Sequence, residues 1–379
     1  MSARTIQAQI NSGVAALAAN AWNRLAGEKN PFLSHAFLAA LEHSGSVGRG
    51  TGWQPVPITM AGVDGALAGA LPAYLKTHSQ GEYVFDHSWA DAWERAGGRY
   101  YPKLQIAVPF TPVPGPRLLA ADLETAAALI AAAQGLVDEH GLSSAHATFV
   151  APDQMALFRA AGWLVREGMQ FHWADDGYGD FEGFLNSLAS RKRKSIRKER
   201  AAAQAGLEIV HLSGADIRAQ DWDAFWHFYQ DTGARKWGTP YLTRAFFDEI
   251  GARMADRLLL IMAKRGGQPI AGALNIIGAD TLYGRYWGCT EDVPFLHFEL
   301  CYYQAIDAAL ARGLSRVEAG AQGEHKLARG YVPVPTFSAH YIPNPAFRRA
   351  IEEFLVRERA GMAHQREVLA SFAPFRQQA

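Results

Sequence analysis

The stretch Pro31-Phe-Leu-Ser-His-Ala-Phe37 returns in the second half of the chain as Pro240-Tyr-Leu-Thr-Arg-Ala-Phe246. Four further pairs of segments match in the same order: Leu67-Ala-Gly-Ala-Leu71 with Ile270-Ala-Gly-Ala-Leu274, His140-Gly-Leu-Ser143 with Arg312-Gly-Leu-Ser315, Gly162-Trp163 with Gly330-Tyr331, and His172-Trp173 with His340-Tyr341. Ordered matches of this kind are the signature of an internal repeat. We therefore predict two copies of one domain, at 1–180 and 181–345, followed by a helical tail at 346–379. The first copy carries a proline-rich insertion at 84–122.

Each copy shows the same succession of predicted elements. In the second copy they are a helix at 240–253, strands at 258–263, 269–277, 281–288 and 315–319, and an apolar helix at 296–312. Gly313 follows that apolar helix and Gly141 follows its counterpart at 122–140, where glycine commonly ends a helix. This order predicts an α+β fold in which mixed, largely antiparallel sheets are flanked by helices.

The composition is typical of a globular protein with a large core. Hydrophobic residues make up 49% and charged residues 20% of the 379 residues, which excludes collagen-like and largely disordered chains. Cys289 and Cys301 are too few for a disulfide framework. The N-terminus lacks the apolar core of a signal peptide, and no apolar run reaches the roughly 18 residues of a membrane span. We therefore expect a soluble cytoplasmic protein.

The zero net charge is the sum of two unlike halves. Lysine and arginine number 37, as do aspartate and glutamate. Residues 1–180 contain 11 basic and 16 acidic side chains, whereas residues 181–379 contain 26 and 21. Seven of the basic residues fall within Arg191-Lys-Arg-Lys-Ser-Ile-Arg-Lys-Glu-Arg200. A phosphate-bearing partner, if there is one, is therefore expected on the second copy.

Several motifs together carry a family resemblance: Asn30-Pro-Phe-Leu-Ser-His-Ala-Phe-Leu38, Gly81-Glu-Tyr-Val-Phe-Asp-His-Ser-Trp-Ala90, Tyr100-Tyr-Pro-Lys-Leu104, Pro109-Phe-Thr-Pro-Val-Pro-Gly115, the basic segment ending at Arg200, and Glu318-Ala-Gly-Ala-Gln-Gly-Glu-His-Lys326. With the doubled order of elements, they resemble two GCN5-related N-acetyltransferase (GNAT) folds in tandem. The chain more closely resembles a bacterial family of FemAB-like predicted N-acyltransferases, labelled peptidoglycan biosynthesis/recognition. The resemblance covers nearly the whole chain. It implies transfer of an acyl or aminoacyl group to a small-molecule or peptide amine by direct attack.

The acyl donor is left open by the loop before the apolar helix. Acetyl-CoA-using members of the wider fold hold the pyrophosphate on a glycine-rich loop at this point. Here the loop is Cys289-Thr-Glu-Asp-Val-Pro-Phe295, which is not glycine-rich and carries two carboxylates. We therefore expect no tightly bound cofactor. Acyl-CoA is a possible co-substrate, and FemAB-type enzymes take an aminoacyl group from tRNA.

The segment from Glu318 to Lys326 is the predicted catalytic centre. N-acylation requires removal of a proton from an ammonium group and stabilisation of an oxyanion. Glu318 or His325 could take the proton, and Lys326 could polarise the acyl carbonyl. The family resemblance implies a lysine just after this strand at the substrate site, which corresponds to Lys326. The alternative is a solvated turn between a strand and a helix.

Two motifs of the first half are candidate binding segments. Asp86 and His87 are predicted to follow a strand, although Asp86 could instead cap a helix that buries Trp89. Five prolines between Pro102 and Pro116 predict a rigid extended loop that cannot be a central strand, and its alternative role is a structural wrap. The predicted substrate-binding residues are Asp86, His87, Trp89, Tyr101, Lys103, Phe110, Arg117, Arg235, Trp237, Tyr286 and Glu324.

The basic segment is predicted to be helical, with contacts to phosphate groups of tRNA or of a nucleotide-linked precursor. The residues assigned to this role are Arg191, Lys192, Arg193, Lys194, Arg197 and Lys198. A solvated helix face is the alternative. No spacing of histidine, cysteine and carboxylates predicts a metal site. The function that competes with catalysis is a binding module for a cell-wall precursor or peptide.

Overall fold

The computed structural model of the chain describes residues 8–236, 240–320, 323–372 and 374–375. The chain divides into two compact units. One comprises Met1–Gly168 and Pro335–His364, and the other comprises Met169–Val334 and Gln365–Ala379. Because the chain returns to the first unit near its end, these units differ from the predicted ranges 1–180, 181–345 and 346–379. Those ranges stay a prediction about the repeat.

The structure confirms the predicted α+β class. The helices are α1 (Ala19–Ala26), α2 (His35–His43), α3 (His87–Arg95), α4 (Leu123–Glu139), α5 (Met155–Ala160), α6 (Phe181–Ser187), α7 (Ser190–Gln204), α8 (Ala219–Lys236), α9 (Arg244–Arg253), α10 (Leu296–Phe298), α11 (Gln304–Ala311) and α12 (Pro345–Ser371). The strands are β1 (Ala8–Ile10), β2 (Trp53–Pro55), β3 (Ile58–Ala61), β4 (Leu67–Leu71), β5 (Ala73–Lys76), β6 (Lys103–Ile106), β7 (Leu119–Ala120), β8 (Ala145–Ala147), β9 (Leu164–Ala174), β10 (Glu208–Ser213), β11 (Leu258–Arg265), β12 (Gln268–Ile277), β13 (Thr281–Cys289), β14 (Arg316–Glu318) and β15 (Val332–Tyr341).

The first unit contains two sheets around an apolar core. One sheet runs in the order β1-β3-β4-β7 with antiparallel neighbours. The other places β15, β8, β6, β5 and β2 side by side, with β6 and β8 parallel and the other neighbours antiparallel. Helix α4 buries Leu129, Ile130 and Ala133 against them, as the three-to-four-residue spacing of an amphipathic helix requires. Asp122 caps this helix by accepting a hydrogen bond from the Thr125 amide at 2.7 Å.

The second unit is built on one sheet in the order β10-β11-β12-β13-β14-β9. Its neighbours are antiparallel except for β13 and β14, which are parallel. Gly266 and Gly267 join β11 to β12 with φ angles of 56° and 82°, the left-handed conformation that a two-residue hairpin turn requires. Residues of the core include Leu259, Ile261 and Leu282. Each unit thus contains one parallel strand pair joined through a long helical segment.

Two local predictions in the first half are wrong. Lys103–Ile106 lies within the proline-rich stretch but forms β6, a strand with neighbours on both sides. It can do so because Pro102 and Pro109 flank the strand and leave its four residues with backbone N–H groups. The residues before Asp86 form no strand, because Tyr83 has a φ of 59° that breaks the extended conformation. Within the described residues, no helix is both long and apolar enough to cross a bilayer.

Candidate functional site

The parallel pair β13 and β14 opens into a cavity. The two strands pair only where Thr281–Tyr283 meets Arg316–Glu318, and β13 then continues to Cys289 while β14 ends. A cavity of about 100 Å³, the inner cavity, lies where the strands part. It is lined by Ala273, Leu274, Asn275, Gly284, Arg285, Tyr286, Trp287, His297, Cys301, Tyr302 and Ala319. Tyr286, predicted to bind substrate, is among them.

A larger cavity lies beside the first along β13. This outer cavity has a volume of about 250 Å³ and is lined by Thr232, Trp287, Cys289, Glu291, Asp292, Val293, Leu296 and His297. Trp287 and His297 line both cavities, and their rings meet edge to face with centroids 5.3 Å apart. The loop with the two carboxylates therefore forms part of a wall. We call the two cavities together the β13 cleft.

Glu318 ends β14 next to the inner cavity. Ala319 lines the cavity, and because side chains alternate along a strand, the preceding Glu318 side chain points to the other face of the sheet. Burial raises the pKa of Glu318 to about 7, with Arg316 and Arg285 opposing the rise. Its Oε2 has no hydrogen-bond partner among the described residues. A half-protonated carboxyl group near neutral pH is suited to accept a proton.

Lys326 lies in the short helical segment Glu324–Arg329 that follows β14. Its side chain is buried, and Nζ donates a hydrogen bond to the Gly320 carbonyl at 2.9 Å. Burial lowers the pKa of Lys326 to about 8, with Cys301 opposing and Arg285 adding to the shift. Arg285, which lines the inner cavity, thus acts electrostatically on both Glu318 and Lys326.

His325 is linked to the inner cavity through a tyrosine. Its Nε2 lies 2.8 Å from the hydroxyl of Tyr302, which lines the cavity, and its ring lies 5.6 Å from that of Phe298. Tyr302 belongs to the π-helical turn Glu299–Tyr303 between α10 and α11. Such turns insert one residue into a helix and often occur at functional sites. The structure therefore connects the three predicted catalytic residues to one cavity, though none of them is in its lining.

Asn275 was missed by the sequence analysis. It is 1% exposed and lines the inner cavity from β12, where the register with β13 shifts. Its Nδ2 lies 3.3 Å from the Ala273 carbonyl oxygen and 3.4 Å from that of Leu259, while Oδ1 has no partner among the described residues. An amide inside the otherwise apolar run of β12 is the sequence signal that could have identified it.

In the first unit, Lys103 is the centre of a buried charge cluster. Its Nζ donates hydrogen bonds to Glu82 and Ser79 at 2.8 and 2.9 Å, and a third to Asp86. Burial alone would lower the pKa of Lys103, but the two carboxylates outweigh it and hold the pKa above its usual value. Burial raises the pKa of Glu82 to about 7. The predicted anion-binding lysine is thus engaged with two carboxylates inside the protein.

A chain of hydrogen bonds extends this cluster. Asp86 accepts a hydrogen bond from the Tyr100 hydroxyl at 2.7 Å. Although burial opposes it, the Lys103 ammonium holds the pKa of Asp86 well below its usual value. Asp86 directly precedes α3 but its carboxylate does not cap that helix. Beyond Tyr100, the Nδ1 atoms of His146 and His340 lie 2.7 Å apart, and burial lowers the pKa of both imidazoles.

The other predicted binding residues of the first unit lie in different environments. Trp89 is buried with its ring 5.0 Å from that of His340. Phe110 is buried against Trp53, and the Tyr101 hydroxyl lies 2.8 Å from that of Ser79. His87 is exposed at the start of α3.

Arg117 is placed entirely inside the protein. Its guanidinium group donates hydrogen bonds to the backbone carbonyls of Val113, Pro116 and Thr148, at 2.9, 3.1 and 2.8 Å. The side chain is 0% exposed. This arrangement fixes the proline-rich stretch, and it supports the alternative interpretation of a structural wrap.

The basic segment forms α7, as predicted. Ile196 and Ala203 attach the helix to the core. Arg191, Lys192, Lys194 and Lys198 are exposed, Arg193 is half-buried, and Arg197 pairs with Glu182 at the surface. Arg200 lies inward, 2.6 Å from Asp307 and 3.1 Å from Glu299. The exposed face fits both a solvated surface and a phosphate-binding one.

Three of the predicted binding residues have side chains that the structure does not describe. Trp237 lies outside the described residues, and the side chains of Arg235 and Glu324 are likewise not described. Within the described ranges, no group of three or more histidine, cysteine and acidic side chains could hold a metal ion.

Comparison with known proteins identifies a family for this chain and solved structures with a similar fold. Residues 13–377 match a family model described as FemAB-like, peptidoglycan biosynthesis/recognition. The structure of FemX is 12% identical, with a TM-score of 0.55 over 89% of this chain and 98% of that one. L-PGS from Bacillus licheniformis is 11% identical, with a TM-score of 0.52 over 87% and 97%. The C-terminal domain of a putative lysylphosphatidylglycerol synthetase from Agrobacterium fabrum is 10% identical, with a TM-score of 0.55 over 89% and 95%. These likenesses concern the fold. No curated protein matches the sequence significantly.

Proposed function

The chain belongs to the FemAB-like family of peptidoglycan biosynthesis/recognition proteins, and from this premise we propose that it is an N-acyltransferase. It moves an acyl or aminoacyl group from an activated ester or thioester to an amine by direct attack. The observation that carries the proposal is the parting of β13 and β14, which leaves a cavity between Arg285 and Tyr302. A cavity at the carboxyl end of parallel strands is a common position for a ligand.

The reaction needs a base and a positive environment for the oxyanion. We place the acyl carbonyl in the inner cavity and the amine on the sheet face that carries Glu318. The amine nitrogen attacks the carbonyl carbon, Glu318 takes a proton from that nitrogen, and the bond to the donor's oxygen or sulfur breaks. Arg285 and Lys326 supply positive charge near the developing oxyanion, where burial strengthens the interaction. Glu318 then gives up the proton it took, and the donor's oxygen or sulfur leaves with that proton as an alcohol or thiol.

Transfer from labelled acyl-CoA and aminoacyl-tRNA pools to amine and peptide acceptors tests the proposal. We expect product from one donor class with the wild-type protein. Lys326→Ala and Glu318→Gln should each lower the rate about 100-fold, in the range typical of general acid–base groups. Lys264→Ala, a half-exposed lysine on β11, is the matched control and should keep the wild-type rate. No transfer from any donor contradicts the proposal.

A non-catalytic binding module is the second candidate. The observation that favours it is the pair of carboxylates in the outer cavity, at the place where CoA-binding relatives of the fold hold pyrophosphate on a glycine-rich loop. Calorimetry with a nucleotide-linked cell-wall peptide distinguishes the two functions. Tight binding together with an absence of turnover in every donor mixture supports the module.

A further inference from the structure

The basic helix α7 carries one acidic residue, and that residue lies on its inner face. Between Ser190 and Gln204 the sequence has seven lysines and arginines and the single carboxylate of Glu199. Glu199 follows the buried Ile196 by three residues and precedes the buried Ala203 by four, which is the spacing of one helix face. Its side chain is only 16% exposed. A carboxylate turned inward in this way requires partners inside the protein.

The partners of Glu199 belong to two segments beside the inner cavity. Its Oε2 accepts a hydrogen bond from the hydroxyl of Tyr303 in the π-helical turn, and a second from Nη2 of Arg329 at 2.9 Å. Tyr303 directly follows Tyr302, which lines the cavity. Arg329 ends the short helical segment that contains Lys326. One carboxylate oxygen therefore joins α7 to both segments.

Arg329 connects the carboxylate to the residues at the cavity. Its Nη1 donates a hydrogen bond to the backbone carbonyl of His325 at 2.8 Å, and Nε2 of His325 lies 2.8 Å from the Tyr302 hydroxyl. Since Tyr302 and Tyr303 are joined by a peptide bond, these contacts close a ring. The Arg329 side chain is 8% exposed, so removal of the Glu199 carboxylate would break a salt bridge of a mostly buried cation, which displaces such a group or costs stability.

We propose that Glu199 is a positioning residue for acyl transfer, which acts through Arg329 to hold Lys326 in place beside the inner cavity. The carboxylate fixes the guanidinium group, and the guanidinium group fixes the short helical segment. A displacement of about 1 Å at a reacting centre can lower a rate about 100-fold. The inference rests on the proposed function, because it assigns a role in that reaction. The alternative is that Glu199 only attaches α7 to the second unit.

Steady-state kinetics on the full chain distinguish these roles. Glu199→Ala should lower kcat about 100-fold and leave both KM values within about twofold, as for an interaction needed only in the transition state. Glu199→Gln keeps the shape of the side chain and should lower kcat about tenfold. Glu182→Ala, which breaks an exposed salt bridge to Arg197 on the same helix, is the matched control and should keep the wild-type kcat. A residue that only supports the fold changes the melting temperature and leaves the kcat of the folded protein unchanged, and that result overturns the proposal.

A double variant tests whether Glu199 acts through Arg329. Arg329→Met alone should lower kcat about as much as Glu199→Ala. In the Arg329→Met background, Glu199→Ala should lower kcat by less than about threefold more, because residues that act as a unit are not additive, whereas independent losses multiply. A multiplied loss of about 10,000-fold means that Glu199 does not act through Arg329, and it overturns the assignment.

The reactivity of Lys326 provides a readout that requires no turnover. Burial lowers the pKa of Lys326 from 10.5 to about 8. If Glu199 holds the segment, Glu199→Ala and Glu199→Gln should expose this lysine and raise its pKa toward the ordinary value, while Glu182→Ala should not. Competitive labelling with acetic anhydride between pH 6 and 10, followed by mass spectrometry, measures the pKa. An unchanged pKa in both Glu199 variants overturns the proposal.

The kinetic and labelling experiments fail independently. If the wild-type protein transfers an acyl group and neither Glu199 variant changes kcat, this inference is wrong and the proposed function stands. If no donor supports transfer but the Glu199 variants raise the pKa of Lys326, the proposed function is wrong and the positioning of Lys326 by Glu199 stands.

Discussion

Glu318 lies beside His172 across the antiparallel pair of β14 and β9, with Oε1 3.7 Å from Nδ1. Burial shifts the two groups in opposite directions, raising the pKa of Glu318 to about 7 and lowering that of His172 to about 3. Both shifts disfavour the charged form, so near neutral pH the imidazole is neutral and the carboxyl group is partly protonated. The pair therefore lacks the full ionic attraction of a salt bridge.

Stability should depend on pH through Glu318. Its folded-state pKa of about 7 exceeds the ordinary value of 4.5, so the folded protein binds the proton more tightly than the unfolded chain. The free energy of unfolding contributed by this group is therefore highest below about pH 4.5 and falls as the pH rises to 7. Glu318→Gln should remove this fall, which raises stability at pH 8 by about 1–3 kcal/mol relative to wild type. Urea unfolding at pH 5 and pH 8 measures it. The exposed control Glu208→Gln should leave the wild-type fall in stability between pH 5 and pH 8 unchanged. If Glu208→Gln removes that fall as fully as Glu318→Gln does, the assignment to Glu318 is wrong.

The proposed transfer rate should follow a narrow bell-shaped pH profile. Glu318 must lose its proton near pH 7 to act as base, and Lys326 loses its positive charge above about pH 8. Lys326→Arg should keep a cation and move the alkaline limb beyond the measurable range, while Glu318→Gln should abolish the acid limb along with most of the rate. Steady-state kcat/KM between pH 5.5 and 9.5 provides the profile. An alkaline limb that persists in Lys326→Arg means that another group titrates there.

Breaking the buried cluster in the first unit should destabilise the protein. Lys103→Met keeps the volume of the side chain but removes the ammonium that hydrogen-bonds both Glu82 and Asp86, which leaves Lys76, 3.8 Å from Glu82, as the remaining buried lysine of the cluster. Removing one partner of a buried ion pair typically costs about 3–5 kcal/mol. Chemical unfolding at pH 7.5 measures the loss. The exposed Lys194→Met is the control and should change stability by less than about 0.5 kcal/mol. A loss in Lys103→Met no larger than in the control means that the cluster is not held by Lys103.

Local patterns predicted the parts of the fold that depend on local chemistry. The apolar runs at 258–263 and 269–277 predict the strands β11 and β12, and the apolar segment at 296–312 is predicted to be helical. The π-helical turn Glu299–Tyr303 within that segment was not predicted. The turn brings Glu299 to Arg200 and Gln204 of α7, partners about a hundred residues distant that no local pattern contains.

In the candidate site, too, some features are visible in local sequence patterns and others depend on contacts between distant residues. A strand end followed by charged residues is visible in sequence, so Glu318 and Lys326 are predicted as catalytic residues, and their roles stay a prediction. Lys103 was recognised as important, but its buried partners Glu82 and Asp86 depend on tertiary packing. The amide of Asn275 stands out in the apolar run of β12, but only the tertiary structure shows that a cavity lies beside it, where β13 and β14 part. Charged residues are therefore visible as candidates in the sequence, whereas their partners depend on tertiary packing.

If α7 binds tRNA or another polyphosphate, affinity should fall steeply with salt. Lys194 and Lys198 are exposed on this helix. Replacing both with glutamine should weaken binding and reduce the slope of log K against log salt by about 1.4, the value for two phosphate contacts on a single strand. Filter binding between 50 and 300 mM KCl measures the slope. The control Arg265→Gln, on β11, should leave the slope unchanged. An affinity that does not vary with salt supports the alternative that the basic face of α7 is only a solvated surface.

Gly288→Ala should destabilise the second unit because α8 contacts β13 backbone to backbone. A Cβ atom at Gly288 would lie 2.0 Å from the carbonyl oxygen of Phe228, and a rigid backbone cannot yield as a side chain can. We expect a loss of about 1–3 kcal/mol, as for other overpacked sites, measured by thermal or urea unfolding. Gly135→Ala within α4 meets no atom within 4 Å and should instead stabilise by up to about 1 kcal/mol, because alanine favours helix over glycine. Opposite signs of the two stability changes distinguish steric overlap at Gly288 from a general effect of replacing glycine. If Gly288→Ala is as stable as wild type, α8 can move away from β13.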